Sequence, residues 1–313
     1  MSATSMGNAL LLVAASVAVA VSSNSQASSI VSQTATAHPQ LVTLFFTTLD
    51  KEKRFVTDLT QTEIRIYEGG VEQQIVTFVP ARTLPLTVGL LIDVSGSRRP
   101  YPAFEKEAAR EFIRTVIREN DQAAVAAFAD AIIPLVDFTA DAAKLDEGIQ
   151  KMGTISPYGK GAIYDSIISA CKSKLSTAAG RRVLVLSADG PDNADNSTLD
   201  KAIETALHAN VALYVVAVHH RDDPYKSSRV RARHRKEADQ LTSQTGGFFA
   251  VVRDSWEATE AFRKIAMEFD ATYAITYYSS NLTQDGKFRK LSFTTNRTGV
   301  KVAAPKGYYT HSK

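Results

Sequence analysis

Acids and hydroxyls that follow two apolar runs have the chemistry to hold a cation. The stretch GLLIDVSGSRR, Gly89 to Arg99, is an apolar run that ends in Asp93, with Ser95 and Ser97 following at alternate positions. A second apolar run, RVLVL, leads into Ser187, Asp189 and Asp192. If the two runs are neighbouring strands of an open parallel sheet, Asp93 and Asp189 converge on its carboxyl edge, where such sheets collect ligands. Two carboxylates about 5 Å apart repel by roughly 3 kcal/mol at an effective dielectric near 20. A cation removes that cost. Carboxylate and hydroxyl oxygens are hard donors, suited to Mg²⁺ or Mn²⁺ with several waters retained and unsuited to Zn²⁺. A plainer reading has Asp93, Ser95 and Ser97 cap the helix that begins near Pro102. That reading explains one hydroxyl well, but not an acid at the end of each of two buried strands.

Other reactive side chains offer less. The single cysteine, Cys171, shares helical spacing with Ile167, Ile168 and Leu175, which predicts a buried apolar role and excludes an intramolecular disulfide. His219, His220 and His234 match no compact zinc spacing and sit among Arg, Asp and Lys, as in a solvated loop. The basic stretch RVRARHRK, Arg229 to Lys236, is the exposed start of a helix or a docking patch for an acidic partner. Ser95 stands in no G-x-S-x-G elbow, so a hydrolase working through it or through a metal-activated water is the weakest reading.

The elements that must position Asp93 and Asp189 follow from periodicity. Residues 86–269 alternate buried strands, such as VGLLIDV, RVLVLSA and ALYVVAV, with amphipathic helices. This predicts an α/β domain with a doubly wound, mostly parallel sheet. On either side, residues 40–85 and 270–313 carry alternating strand patterns and tight-turn signals: EGG at Glu68 to Gly70, DG at Asp285 and NRTG at Asn296 to Gly299. Neither flank can bury its apolar face alone, so the two are expected to pair into one small β-sandwich into which the α/β domain is inserted.

At the front, an apolar run in residues 8–29 is followed by small polar residues, and Ser25 and Ala27 fit a small-x-small cleavage site. Residues 1–27 are therefore expected to be a signal peptide, which implies a secreted or periplasmic protein. No later segment is long and apolar enough to span a bilayer. Across 313 residues, 36 basic and 33 acidic side chains leave a net charge of +3, which calls for no nucleic-acid partner.

With these residues in place, the chain resembles the von Willebrand factor type A (VWFA) family, whose metal-ion-dependent adhesion site is D-x-S-x-S after the first strand. DVSGS, Asp93 to Ser97, matches it fully, and SADG, Ser187 to Gly190, is similar to the family's later Ser-Asp-Gly element with one residue inserted. The whole layout resembles secreted bacterial VWFA-related proteins of the Acidobacteria-like kind. The resemblance implies a non-enzymatic, adhesion-type module. Asp93, Ser95, Ser97 and Asp189 would hold Mg²⁺ or Mn²⁺, and an Asp or Glu of a protein partner would complete the coordination. It also implies a threonine just before the helix AIYDSI, where this chain has Gly161. Water can take that place, or the neighbouring Lys160 can supply a substitute cation, which leaves a metal-independent scaffold as the second reading.

Overall fold

The computed structural model describes residues 40–96, 103–156, 158–188, 192, 194, 196–218 and 227–310; the expected signal peptide lies outside them. Among the described residues no helix is long and apolar enough to cross a membrane.

The central sheet is built from β5 (Leu86–Asp93), β6 (Gln122–Phe128), β7 (Ile132–Thr139), β8 (Arg181–Ala188), β9 (Val211–Val218) and β10 (Phe249–Val252), in the spatial order β10-β9-β8-β5-β6-β7. All neighbouring pairs are parallel except β6 and β7. Every residue of β5 is buried, and successive side chains serve opposite faces, as the two-residue period of a strand requires. Val88, Leu90 and Ile92 join one cluster with residues of α1 (Ala103–Val116), α2 (Ala142–Met152) and α6 (Ser255–Ala271). Leu91 joins the opposite cluster with α3 (Ile163–Lys172), α4 (Leu199–His208) and α5 (Ser228–Thr245). Helices thus cover both faces, which is why β5, β8 and β9 are nearly continuous apolar runs.

The flanks form two antiparallel four-stranded sheets. One is ordered β13-β1-β11-β4, with β1 at Leu41–Leu49, β4 at Ile75–Pro80, β11 at Tyr273–Tyr278 and β13 at Lys301–Ala303. The other is ordered β14-β12-β2-β3, with β2 at Ile64–Glu68, β3 at Val71–Gln73, β12 at Phe288–Thr295 and β14 at Gly307–Tyr309. Strands from both ends of the chain interleave: β1 pairs with β11, and β2 with β12. Phe46, Ile66, Ile275, Tyr277 and Leu291 share one core between the sheets, the sandwich expected from the sequence. EGG closes the β2–β3 hairpin, with Gly69 and Gly70 at φ 57° and 88°, the left-handed pair that a two-residue turn needs.

Three details depart from the sequence reading. β7 is no clean strand pattern in the sequence, because Pro134 interrupts it; as an edge strand it tolerates a residue with no N–H. The DG turn does not join paired strands, since β11 and β12 lie in different sheets. Within the strand pattern of the flank 270–313, the stretch VKVAAPKGYY is not one strand but splits into β13 and β14 around Pro305, also in different sheets. Gly307 fixes that crossing, because a Cβ there would lie 2.4 Å from the Arg289 carbonyl oxygen.

A buried polar network joins the sandwich to the α/β body. Arg181 at the start of β8 donates to Thr272 Oγ1 (2.7 Å) and Tyr214 Oη (2.6 Å), and its guanidinium lies 4.8 Å from the centre of the Phe269 ring. Tyr214 in turn donates to Glu268 Oε1 at 3.1 Å. Burial pushes the Glu268 carboxyl up to about 7, against the lowering influence of Arg181 and of the Tyr214 hydrogen bond.

Candidate functional site

The carboxyl edge of the sheet brings three segments together around the end of β5. Asp93 is the last residue of β5 and lies opposite Phe128 of β6, while Ile92 lies opposite Ser187 of β8. Asp93 and Ser95 are each 2% exposed. The Ser95 amide donates to Asp93 Oδ1 at 2.7 Å, so the acid turns the chain back on itself directly after the strand, an Asx-type turn. One carboxylate oxygen therefore orders the loop.

The residues after β6 and those before α3 complete the rim. Val94 N–H donates to the Phe128 carbonyl (2.8 Å), Ala162 N–H to the Ala129 carbonyl (2.8 Å), Tyr158 N–H to the Val94 carbonyl (3.2 Å) and Gly96 N–H to the Gly159 carbonyl (3.1 Å). Asp130 fastens the last segment by accepting from the Lys160 amide at 2.7 Å. Gly159 has φ 62°, and a Cβ there would overlap the Asp130 carboxylate at 2.3 Å, so glycine is required for this approach.

Gly161 is thereby held between two anchored amides, those of Lys160 and Ala162. A Cβ built on it would lie 3.7 Å from Ser95 Oγ and 3.8 Å from Asp93 Oδ2. The position at which the resemblance implies a threonine ligand thus faces the Asp93–Ser95 pair, and here it offers no side-chain donor. Lys160 is exposed.

Asp192, grouped with Ser187 and Asp189 in the sequence, lies against the start of α3. It is 4% exposed, and its carboxylate accepts from the Tyr164 amide (3.1 Å) and the Ala194 amide (3.2 Å). It therefore caps α3, whose own N-cap residue Ala162 contributes no side-chain bond. Arg233 of α5 donates to the Asp192 carbonyl at 2.9 Å and pairs with Glu237 at 2.8 Å, so part of the basic stretch braces this edge. His234 is buried. Cys171 packs with Ile167 and Leu175, and burial pushes its thiol up to about 12. Ser97, Asp189, His219 and His220 lie outside the described residues. Among the described residues no group of three or more His, Cys, Asp or Glu side chains is arranged to hold a metal.

The donors that are described fit a hard divalent cation in kind, being a carboxylate and a hydroxyl side by side on a loop held by backbone hydrogen bonds. Asp130 and Asp192 were not recognised as supports in the sequence. Asp130 carries the same signal as Asp93, an acid just after a buried strand, in the run AVAAFAD.

The chain matches the family model of the von Willebrand factor type A domain over residues 88–265. Among solved structures, it is similar to a D319A mutant of the PilB minor pilin from Streptococcus sanguinis (10% identity, TM-score 0.48, 60% of this chain and 62% of that one). It is also similar to a von Willebrand factor type A protein from Catenulispora acidiphila (14% identity, TM-score 0.46, 90% and 75%). A third similar structure is the vWF domain of the type V pili tip protein Mfa5 from Porphyromonas gingivalis (12% identity, TM-score 0.45, 59% and 95%). The match thus spans less than two thirds of the PilB chain. No curated protein matches the sequence.

Proposed function

This chain belongs to the von Willebrand factor type A domain family, and we propose that it is an extracytoplasmic recognition module that binds a protein partner at the carboxyl edge of its sheet. The observation that carries this reading is the pairing of Asp93 and Ser95, both buried at the end of β5, with the Gly161 position turned toward them. On this reading Asp93 and Ser95, with Ser97 and Asp189, hold Mg²⁺ or Mn²⁺. The ion supplies an electrophilic position that a partner's Asp or Glu can fill. Asp93 acts twice, because its Oδ1 orders the loop through the Ser95 amide while the carboxylate charge attracts the cation. Asp130 and Asp192 hold the opposite wall of the site by fixing the Lys160 amide and the start of α3. The activity is recognition, with no bond made or broken. Secretion follows from the expected signal peptide at residues 1–27.

Gly161 favours a second reading, a module of the same fold that recognises its partner without metal through Lys160 and the loops of this edge. Immobilised wild type and Asp93→Ala, exposed to extracts of the source cells with Mg²⁺ or with EDTA, test the two. A partner retained by wild type in Mg²⁺ and lost both in EDTA and in the variant is the expected result. Retention that EDTA leaves unchanged would transfer the function to the metal-free reading.

A further inference from the structure

A second recognition surface lies along α6, away from the carboxyl-edge site. Trp256 is 71% exposed and Met267 46% exposed. The two are eleven residues apart on one helix, close to three full turns, so both lie on the same face. Opposite them the sandwich contributes Phe55, Pro80 and Tyr273, and the walls enclose a groove of about 980 Å³. Trp and Met are large apolar side chains enriched at the buried centres of interfaces, and an exposed pair lining one groove marks a contact surface.

The charge around the groove selects the partner. Arg54, Arg253 and Arg263 are paired with Asp50, Glu257 and Glu260, and Asp270 is paired with Arg118. Lys53, Arg82 and Lys264 also line the groove and are exposed, and among the described residues none of them forms an ion pair. Three cations outside any ion pair therefore line an apolar trough, Lys264 with its Nζ 5.0 Å from the centre of the Phe248 ring. We propose that this groove binds an acidic peptide segment bearing a bulky apolar side chain, which would sit against Trp256 and Met267 while its carboxylates meet Arg82, Lys264 and Lys53. Such complementarity raises the association rate and rejects basic segments. Asp93, Ser95 and Gly161 do not line the groove, so this contact is independent of any metal and stands whether or not the carboxyl-edge reading does.

Trp256 is the only tryptophan of the chain, so its emission reports on the groove directly. The probes are the synthetic octapeptide acetyl-DELFDELF-amide and its basic counterpart acetyl-KRLFKRLF-amide, titrated into the full chain in EDTA. The acidic peptide should shift Trp256 emission to the blue with saturation, and the basic one should not. The double variant Lys53→Glu, Arg82→Glu alters only exposed side chains and should bind the acidic peptide at least tenfold more weakly, with an unchanged unfolding midpoint. The proposal is overturned if the acidic peptide leaves the emission unmoved, if both peptides bind alike, or if the double variant binds as wild type does. It is equally overturned if vesicles of phosphatidylcholine and phosphatidylglycerol shift the emission and the peptide does not, or if self-association alone produces the shift.

Discussion

Replacing Gly161 by threonine tests whether the gap in the carboxyl-edge site governs cation affinity. A Cβ at Gly161 meets Ser95 Oγ at 3.7 Å, Asp93 Oδ2 at 3.8 Å and Ser95 Cβ at 3.9 Å, all ordinary van der Waals contacts, and the backbone there is not left-handed. A Cβ therefore enters without displacing its neighbours, and the threonine hydroxyl beyond it is directed into the Asp93–Ser95 edge only if its rotamer avoids them. Loss of unfolded-chain entropy stabilises the fold by about 0.4–1 kcal/mol, offset in part by ordering the side chain. The hydroxyl, one bond beyond the Cβ, adds an oxygen beside Asp93 and displaces a water whose immobilisation costs up to about 2 kcal/mol. A net gain of about 1 kcal/mol in cation binding corresponds to roughly fivefold tighter Mn²⁺ affinity. Gly161→Ala adds the Cβ without an oxygen and should give no gain. Manganese titrations followed by electron paramagnetic resonance on the three proteins check this. Equal affinities in all three, with each protein folded, would refute the assignment of Gly161 as the missing ligand position.

Further outcomes follow from the supporting residues. The folded Glu268 carboxyl sits near 7 against an ordinary 4.5, so between these values the folded state holds more protons than the unfolded one. Stability is then fully present below about 4.5 and is lost as pH rises through about 7, by up to about 3 kcal/mol. Glu268→Gln should remove that slope, and parallel wild-type and variant urea midpoints from pH 5 to pH 8 would contradict it. Asp192→Ala removes the cap of α3 and leaves two amides without that acceptor, which should lower unfolding stability by about 1–3 kcal/mol in urea. Cys171, buried and pushed up to about 12, should react with a thiol reagent only as fast as the protein unfolds. Rapid labelling of native protein would show that the α3 face opens.

The parts of this protein legible in its sequence are those that one local pattern determines. β5, β8 and β9 showed as apolar runs because helices cover both of their faces, and the EGG hairpin showed because only glycines suit two successive positive φ angles. Asp93 was legible because an acid at the end of a buried strand needs a reason. Pairings set by distant segments were not legible. Pro134 concealed β7, and the separation of β13 from β14 depends on contacts with β1 and β12. The support that Asp192 gives to α3 was not legible, because sequence gives proximity along the chain and not the direction in which a carboxylate turns. The α6 groove was hidden for a similar reason, since its walls come from residues nearly 200 positions apart, such as Pro80 and Met267.

The proposed recognition mode depends on a divalent cation held at the Asp93 edge. Isothermal titration of wild type and Asp93→Ala with Mg²⁺ and with Mn²⁺ tests it most directly. A saturable one-site heat in wild type that disappears in the variant while the fold persists is the expected outcome. Equal heats in the two proteins, whether negligible or substantial, would contradict it.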